Sequence, residues 1–268
     1  MSYTFGFIGA GNMGGALARA AAKALPGDRI VLADQCVEKA AALADELGCR
    51  QADATQVARE CTYIFLGVKP QVMATMLCQI APELAMRKTP FVLVSMAAGI
   101  AIADIQRMAM SPYPVIRIMP NIPVSAGSGM ILFDATEDVS QADIDTFCQT
   151  MRFAGRLDRL PEKLIDAGSA LSGCGPAFVS LFVEALADGA VACGLPRDKA
   201  LAYAAQTVSG TAKMLLESGM HPGALKDAVC SPGGSTIAGV QALEESAFRA
   251  GAMNAVAAAY ERTLELGK

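Results

Sequence analysis

The 268-residue sequence has no tryptophan and a single histidine, His221. None of its eight cysteines stands in a Cys-x-x-Cys pair, so with one histidine a zinc centre has no ligand set to start from. No Ser/His/Asp constellation can be assembled around His221 either. That residue sits in a His-Pro-Gly segment of the kind that opens a helix, and it reads as a surface position. Basic excess is missing too: 22 Lys and Arg stand against 26 Asp and Glu, a net charge of −4. Together with the absent tryptophan, this argues against nucleic-acid affinity built on phosphate neutralisation. The longest uncharged stretch, residues 167–183, is interrupted by Gly173, Gly175, Pro176 and several serines, and reads poorly as a membrane span. The N-terminus lacks the charged start and cleavage site of a signal peptide. The cysteines are therefore expected to be reduced and mostly buried thiols, and the expected compartment is the cytoplasm.

What the chain does have is apolar mass. A composition that is 53% hydrophobic and a length sufficient for one large α/β domain or two modest ones describe a globular protein with a sizeable core. Up to about residue 160, short β-rich runs alternate with segments of helical period. The runs at 3–8, 29–33, 62–66, 91–94, 114–118 and 129–133 are expected strands, and those at 14–25, 36–47, 72–81, 100–108 and 141–153 expected helices. Near-continuous apolar strands separated by helices imply βαβ crossovers and a mainly parallel sheet covered on both faces. After Pro161 the β-branched runs thin out, and long Ala/Leu/Val segments take over at 162–171, 176–193, 196–216, 237–245 and 248–266. The fold class is thus α/β, with an N-terminal Rossmann-type domain (1–160) followed by an all-helical C-terminal domain (161–268). Thin, Ala-rich helices of this kind expose a broad apolar face, which reads as a homodimer interface, with a self-contained bundle as the alternative.

The segment GAGNMGG over 9–15 follows the first strand and opens the first helix, matching G-x-G-x-x-G in the context that the motif requires. Gly9 permits the tight turn, Gly11 the close approach of a pyrophosphate, and Gly14 close helix–sheet packing. Asn12 and Met13 complete the loop. The helix N-terminus then offers free N–H groups to phosphates. Asp34, at the end of the second strand, lies at the distance expected of the residue that accepts the ribose hydroxyls of NAD and repels the 2′-phosphate of NADP. Its neighbours Ala33, Gln35 and Cys36 supply no cation for that phosphate. NADH is favoured over NADPH on this reading; the alternative is that Asp34 only caps the following helix.

The motifs FIGAGNMGG (7–15), VKPQ (68–71), SMAAGI (95–100), RIMPNIP (117–123), LSGCGPAF (171–178) and HPGALKDAVCSPGGSTIAG (221–239) occur in that order. In this the chain resembles the pyrroline-5-carboxylate reductases over nearly its whole length, with 231–239 the most specific segment. The resemblance implies hydride transfer from NADH or NADPH to the C=N carbon of 1-pyrroline-5-carboxylate, giving L-proline. It implies a homodimer whose active sites draw on both chains, and in some cases a larger ring of dimers. It also places Val68, Lys69, Pro70 and Ala97 on the nicotinamide side with Asn121 near them. An imine takes a proton from water near neutrality, so the site needs position, a polar partner for the ring nitrogen and an anion cradle rather than a strong acid. Ser231, Gly234, Ser235 and Thr236 suit the last two tasks: a glycine turn running into a helix presents successive N–H groups to a carboxylate. Thr236, at the family's threonine position, is expected to place its hydroxyl on the nitrogen and is the catalytic candidate. The competing reading makes Ser235 or Thr236 a helix N-cap.

Lys69 reads equally as a solvated strand-end lysine, and Arg117 as a paired structural residue. Ile122 stands where the family has Thr, Cys174 where Ser is common, Phe178 for Tyr and Gly168-Ser169 for Val-Thr; Ile122 removes any hydroxyl contact to the cofactor. Two other classes compete. The β-hydroxyacid dehydrogenases need a lysine where this chain has Val179, and a non-catalytic NAD(H) redox sensor would have no use for the 231–236 turn.

Overall fold

A computed structural model describes residues 4–266; Tyr3, the first residue of the expected opening strand, lies outside them. The strands are β1 (Phe5–Ile8), β2 (Ile30–Ala33), β3 (Arg50–Gln51), β4 (Tyr63–Leu66), β5 (Val92–Ser95), β6 (Val115–Pro120), β7 (Gly129–Ala135) and β8 (Gly155–Arg159). They form one sheet in the order β3-β2-β1-β4-β5-β6-β7-β8. The first six are mutually parallel, β7 runs antiparallel to β6, and β8 pairs parallel to β7. This is the doubly wound order, with its switch between β1 and β4, where a crevice opens at the carboxyl ends of the strands.

The helices of this part are α1 (Asn12–Ala22), α2 (Val37–Leu47), α3 (Ala54–Glu60), α4 (Pro70–Ala85), α5 (Ile102–Met108), α6 (Gln141–Met151) and α7 (Glu162–Ser172). Because side chains alternate across a strand, the sheet feeds two cores. Phe5, Phe7, Tyr63 and Phe65 point to α1, α2 and α6, whereas Ile64, Leu66 and Leu93 meet α3, α4 and α5. The first core is an aromatic stack, with Phe5–Tyr63 and Phe7–Phe65 ring centroids at 4.5 and 4.4 Å.

Three elements escaped the sequence pattern. β3 is two exposed polar residues, β8 is a charged edge strand, and α3 is a seven-residue helix with only Val57 and Ala58 buried. α4 also continues past the expected stop, through Pro82, which is exposed, so the helix bond that the proline removes is lost on the solvent side.

The chain divides into two compact units, one reaching Cys174 and including the end of the chain from Ala259, the other Gly175–Ala258. α7 follows the change in composition near Pro161 yet packs on β6 and β7, where Ile165 joins Met119 and Leu132. The second unit contains α8 (Gly175–Ala192), α9 (Arg197–Ser218), α10 (Pro222–Val229), α11 (Ser235–Glu245) and the start of α12 (Phe248–Leu266). The glycines and Pro176 that interrupt the apolar stretch in the sequence break the helix less than expected. Only Gly173 and Cys174 lie between α7 and α8, because Gly175 and Pro176 fall in the first turn of α8, where a proline costs no hydrogen bond. Among the described residues, Glu162–Ala192 is accordingly long and apolar enough, by length and composition alone, to cross a membrane.

Within Gly175–Ala258 the buried residues are three alanines, Ala187, Ala200 and Ala204. Leu181, Tyr203, Met214, Leu216 and Met253 are all more than half exposed. An open groove of about 570 Å³ runs along α8 and α9, lined by Leu181, Val183 and Leu201 among others. Three alanines are too little core to hold five helices.

All eight cysteines are free thiols, but against expectation only Cys61 is buried, and Cys36, Cys78 and Cys193 are exposed. Burial pushes the Cys61 thiol up to about 12, and raises those of Cys49 and Cys148.

α5 ends in a Schellman turn, with Ser111 N–H donating to the Gln106 carbonyl and Met110 N–H to that of Arg107. The left-handed position that glycine normally fills is held by Met110, at φ +56° and largely exposed. Met110→Gly is therefore expected to stabilise the protein by about 0.5–1 kcal/mol, read as a rise in Tm in a thermal melt.

Candidate active site

The crevice at the switch point is built by glycines whose missing side chains are used differently. Gly9, at φ +111°, lies so close to Gly67 at the end of β4 that a Cβ would meet the Gly67 carbonyl. Gly67 N–H donates to the Ile8 carbonyl at 2.8 Å, drawing the ends of β1 and β4 together. A Cβ on Gly14 would collide with the Gly9 carbonyl, so the third glycine seats α1 against the turn. Gly11 is the exception: a Cβ there would meet nothing within 4 Å. Its open face lies at the start of α1, where no side chain caps the helix and no acidic residue stands in the first turn. The first amides of α1, at Asn12, Met13 and Gly14, thus present an uncompensated positive end to a space kept clear, which suits a pyrophosphate. Asn12 is exposed, and Met13 is half-buried against the first core.

Asp34 is turned toward this loop. Its Oδ2 accepts from Ala10 N–H at 2.7 Å and its Oδ1 from Cys36 N–H at 2.9 Å. The carboxylate therefore does not merely cap α2, whose N-cap is Cys36. It ties the end of β2 to the glycine loop, and each oxygen keeps a lone pair for a further donor.

The other expected nicotinamide-side residues lie along the same edge, since β4, β5 and β6 are parallel neighbours and Val68, Ala97 and Asn121 follow their carboxyl ends. Val68 packs partly against the second core. Lys69 is the N-cap of α4, exposed and without a side-chain partner, and Pro70 occupies the first helical position. Ala97 is buried and its side chain belongs to the second core. Asn121 is spent within the fold: Nδ2 donates to the Ser172 carbonyl and Oδ1 accepts from Met130 N–H, each at 2.9 Å. Ile122, beside it, is 72% exposed.

Arg117 is structural, as the sequence suggests. Buried in β6, it donates to Glu162 Oε1 at 3.3 Å and Asp166 Oδ1 at 2.6 Å. Its Nε and the Oγ of Ser95, in register on the adjacent strand, are buried without a protein partner.

In the second unit, residues 231–234 form a hydrogen-bonded turn with Gly234 N–H donating to the Ser231 carbonyl at 3.0 Å. Pro232 and Gly233, the latter at φ +67°, occupy the central positions of a type II turn. A Cβ on Gly234 would meet Ser231 Oγ, a contact that rotation of the exposed serine side chain can relieve. Gly234, not Ser235 or Thr236, is the N-cap of α11, and no side chain caps the helix. The capping alternative is thus not realised: Ser235 and Thr236 are the first two helical residues, both exposed, and their hydroxyls make no hydrogen bond among the described residues. Free amides at 235–237 and three unspent hydroxyls, on Ser231, Ser235 and Thr236, make an anion cradle with a polar rim. His221 is the N-cap of α10, its Nδ1 accepting from Gly223 N–H at 3.1 Å, and exposed. The groove along α8 and α9 is lined by none of the expected site residues. Among the described residues no cluster of His, Cys, Asp and Glu has the makings of a metal site.

Comparison with known proteins matches residues 162–266 to the family model for pyrroline-5-carboxylate reductase dimerisation and residues 4–99 to that for NADP oxidoreductase, coenzyme F420-dependent. The pyrroline-5-carboxylate reductase of Pisum sativum is 42% identical over 268 residues, covering 99% of this chain and 96% of that one. The solved pyrroline-5-carboxylate reductase of Coxiella burnetii superposes with a TM-score of 0.92 at 29% identity, over 100% of both chains. The pyrroline carboxylate reductase of Plasmodium falciparum, solved with NADP bound, gives a TM-score of 0.87 at 30% identity, over 99% of this chain and 98% of that one.

The two loop glycines separate binding from folding. Gly11→Ala should leave stability within about 0.5 kcal/mol of the parent while weakening dinucleotide binding at least about tenfold. Gly14→Ala should destabilise by about 1–3 kcal/mol through its clash with the Gly9 carbonyl. Thermal melts paired with titration of NADH fluorescence distinguish the two.

Proposed function

The chain belongs to the pyrroline-5-carboxylate reductase family, and from that premise we propose how its own residues divide the work of reducing 1-pyrroline-5-carboxylate to L-proline. Residues 1–160 serve the dinucleotide and 161–268 the substrate and the dimer. Gly9, Gly11, Asn12, Met13 and Gly14 cradle the pyrophosphate at the start of α1, and Val68, Lys69, Pro70 and Ala97 line the nicotinamide side, with Asn121 beside them. The bound nicotinamide supplies a hydride to the C=N carbon.

The observation that carries the substrate assignment is the uncapped start of α11. The amides at 235–237 hold the ring carboxylate without a lysine or arginine, with Ser231 and Gly234 shaping the turn and Ser235 adding a hydroxyl. Thr236 directs its unspent hydroxyl to the ring nitrogen, which takes its proton from water and ends as an amine. Holding the reacting atoms at about 3–3.5 Å supplies most of the acceleration.

Asp34 selects NADH. Its carboxylate, fixed by Ala10 and Cys36, faces the loop with no cation among its sequence neighbours to receive a 2′-phosphate. The NADP in the Plasmodium relative belongs to a different chain, and the choice here rests on this chain's own carboxylate.

The near-absence of a core in Gly175–Ala258 supports a homodimer, in which a second copy covers the exposed apolar side chains. Burial against that copy also accounts for the apolar run at Glu162–Ala192 without a membrane. We place the enzyme in the cytoplasm with no nucleic-acid partner; rings of dimers are compatible with this arrangement.

Loss of NADH absorbance on adding pyrroline-5-carboxylate tests the function; binding of NADH without oxidation would make the protein a sensor instead. With both cofactors compared, kcat/KM for NADH should exceed that for NADPH by about tenfold or more, and a clear preference for NADPH removes the assignment of Asp34. Thr236→Ala should lower kcat/KM for the imine by about 10–100-fold with NADH affinity and Tm unchanged. An unaltered kcat/KM excludes the hydroxyl from the reaction.

A further inference from the structure

α7 is pinned to the sheet at both ends by side chains that the reaction does not consume. At its start, Glu162 Oε1 accepts from Arg117 and, at 2.6 Å, from Ile102 N–H, while Glu162 N–H donates to Asp134 Oδ2 at 2.8 Å. Asp166, one turn on, takes the other guanidinium nitrogen of Arg117 at 2.6 Å. This end is thereby joined to β6, β7 and the start of α5.

The far end lacks the usual terminator. Gly173 has ordinary right-handed geometry, at φ −74°, so no left-handed glycine closes α7. Gly173 and Cys174 N–H both reach back to the Ser169 carbonyl, at 2.7 and 3.3 Å, and the Ser172 hydroxyl turns back to Gly168. The Ser172 carbonyl, one of the helix's orphan acceptors, is taken by Asn121 Nδ2. Asn121 is itself held by Met130 N–H on its oxygen and is only 9% exposed. One carboxamide thus links the end of β6, the start of β7 and the end of α7, at the edge that carries Val68 and Ala97.

We infer that Asn121 is a positioning residue for the imine reduction: its carboxamide fixes the Ser172–Cys174 end of α7 at the carboxyl edge of the sheet, as a rigid wall beside the nicotinamide side. This rests on the reductase reading above. Its side chain then serves the hydride step through Ser172 rather than through contact with the cofactor. Loss of the clamp lets that wall move, and displacement of about 1 Å at a reacting centre costs up to about 100-fold in rate.

The test uses the full-length protein. Asn121→Asp keeps the acceptor for Met130 N–H but sets a carboxylate oxygen against the Ser172 carbonyl, whereas Asn121→Ser removes both bonds without adding charge. Both variants should bind NADH within about threefold of the parent, and kcat for the imine should fall about 10–100-fold, more than KM changes. Deuterium uptake in a peptide covering 169–176 should rise in both. Loss of NADH affinity in step with activity would make Asn121 a cofactor contact and overturn the inference, as would unchanged kcat or unchanged uptake. Should Asn121→Asp fail to fold, the same readouts on Asn121→Ser decide. The uptake measurement needs no substrate, so a failed clamp is distinguishable from a wrong substrate, which the parent enzyme's own turnover reveals.

Discussion

The near-contact of three backbone segments at Gly9, Gly14 and Gly67 governs the cofactor half of the molecule. Each glycine is there because a Cβ would strike a neighbouring carbonyl or backbone atom. Their packing brings the carboxyl ends of β1 and β4 together and seats the start of α1 over the gap. Only after that is done does Gly11 face open space, and only then do the free amides of α1 point where a phosphate can sit. Asp34 adds a second tie, since its carboxylate holds the Ala10 amide while remaining able to accept from a ribose. The order of the loop is in this way carried by the same side chain to which we assign the choice of dinucleotide.

The two proposed anion sites use the same physics in different units. Both are helix starts without a capping side chain, α1 behind Gly11 and α11 behind Gly234. A serine or aspartate cap at either place would stabilise the isolated helix by about 1 kcal/mol and would also occupy the amides that a ligand needs. α3 and α6, by contrast, are capped by Asp53 and Ser140. α2, α4, α7 and α9 also start without a capping side chain, so what sets the starts behind Gly11 and Gly234 apart is the glycine turn that precedes each of them. The second unit makes a comparable concession on a larger scale: its apolar side chains are left for a second copy to cover.

Much of this was legible in the sequence. The strand–helix alternation, the glycine loop and the Ser231–Thr236 turn all carry local signals: period, punctuation and motif. β3 and β8 were not legible, because short polar edge strands are made by pairing with a neighbour and have no apolar pattern of their own, and α3 buries only Val57 and Ala58, too few to show a helical period. Pro82 misled for the opposite reason: a strong breaker signal was outweighed by the packing of Ile80, Ala81 and Leu84. For Asn121 the resemblance gave an expected place near the nicotinamide side, while the partners of its amide, Ser172 and Met130, could not be read from the sequence.

The sequence by itself determined the class of fold, the dinucleotide loop and the acidic residue paired with it, and the turn that opens α11. These depend on residues close together in the chain, or on the backbone freedom of glycine, which is intrinsic to the residue. Tertiary structure alone decided that Asp34 grips Ala10, that Arg117 and Asn121 pin the two ends of α7, and that Ser235 and Thr236 leave their hydroxyls unspent. Such facts join residues 24 to 51 positions apart, as the Ala10–Asp34 and Asn121–Ser172 bonds do. A hydrogen bond across that separation exists only once the sheet has set its strand order, and no local pattern of residues encodes it.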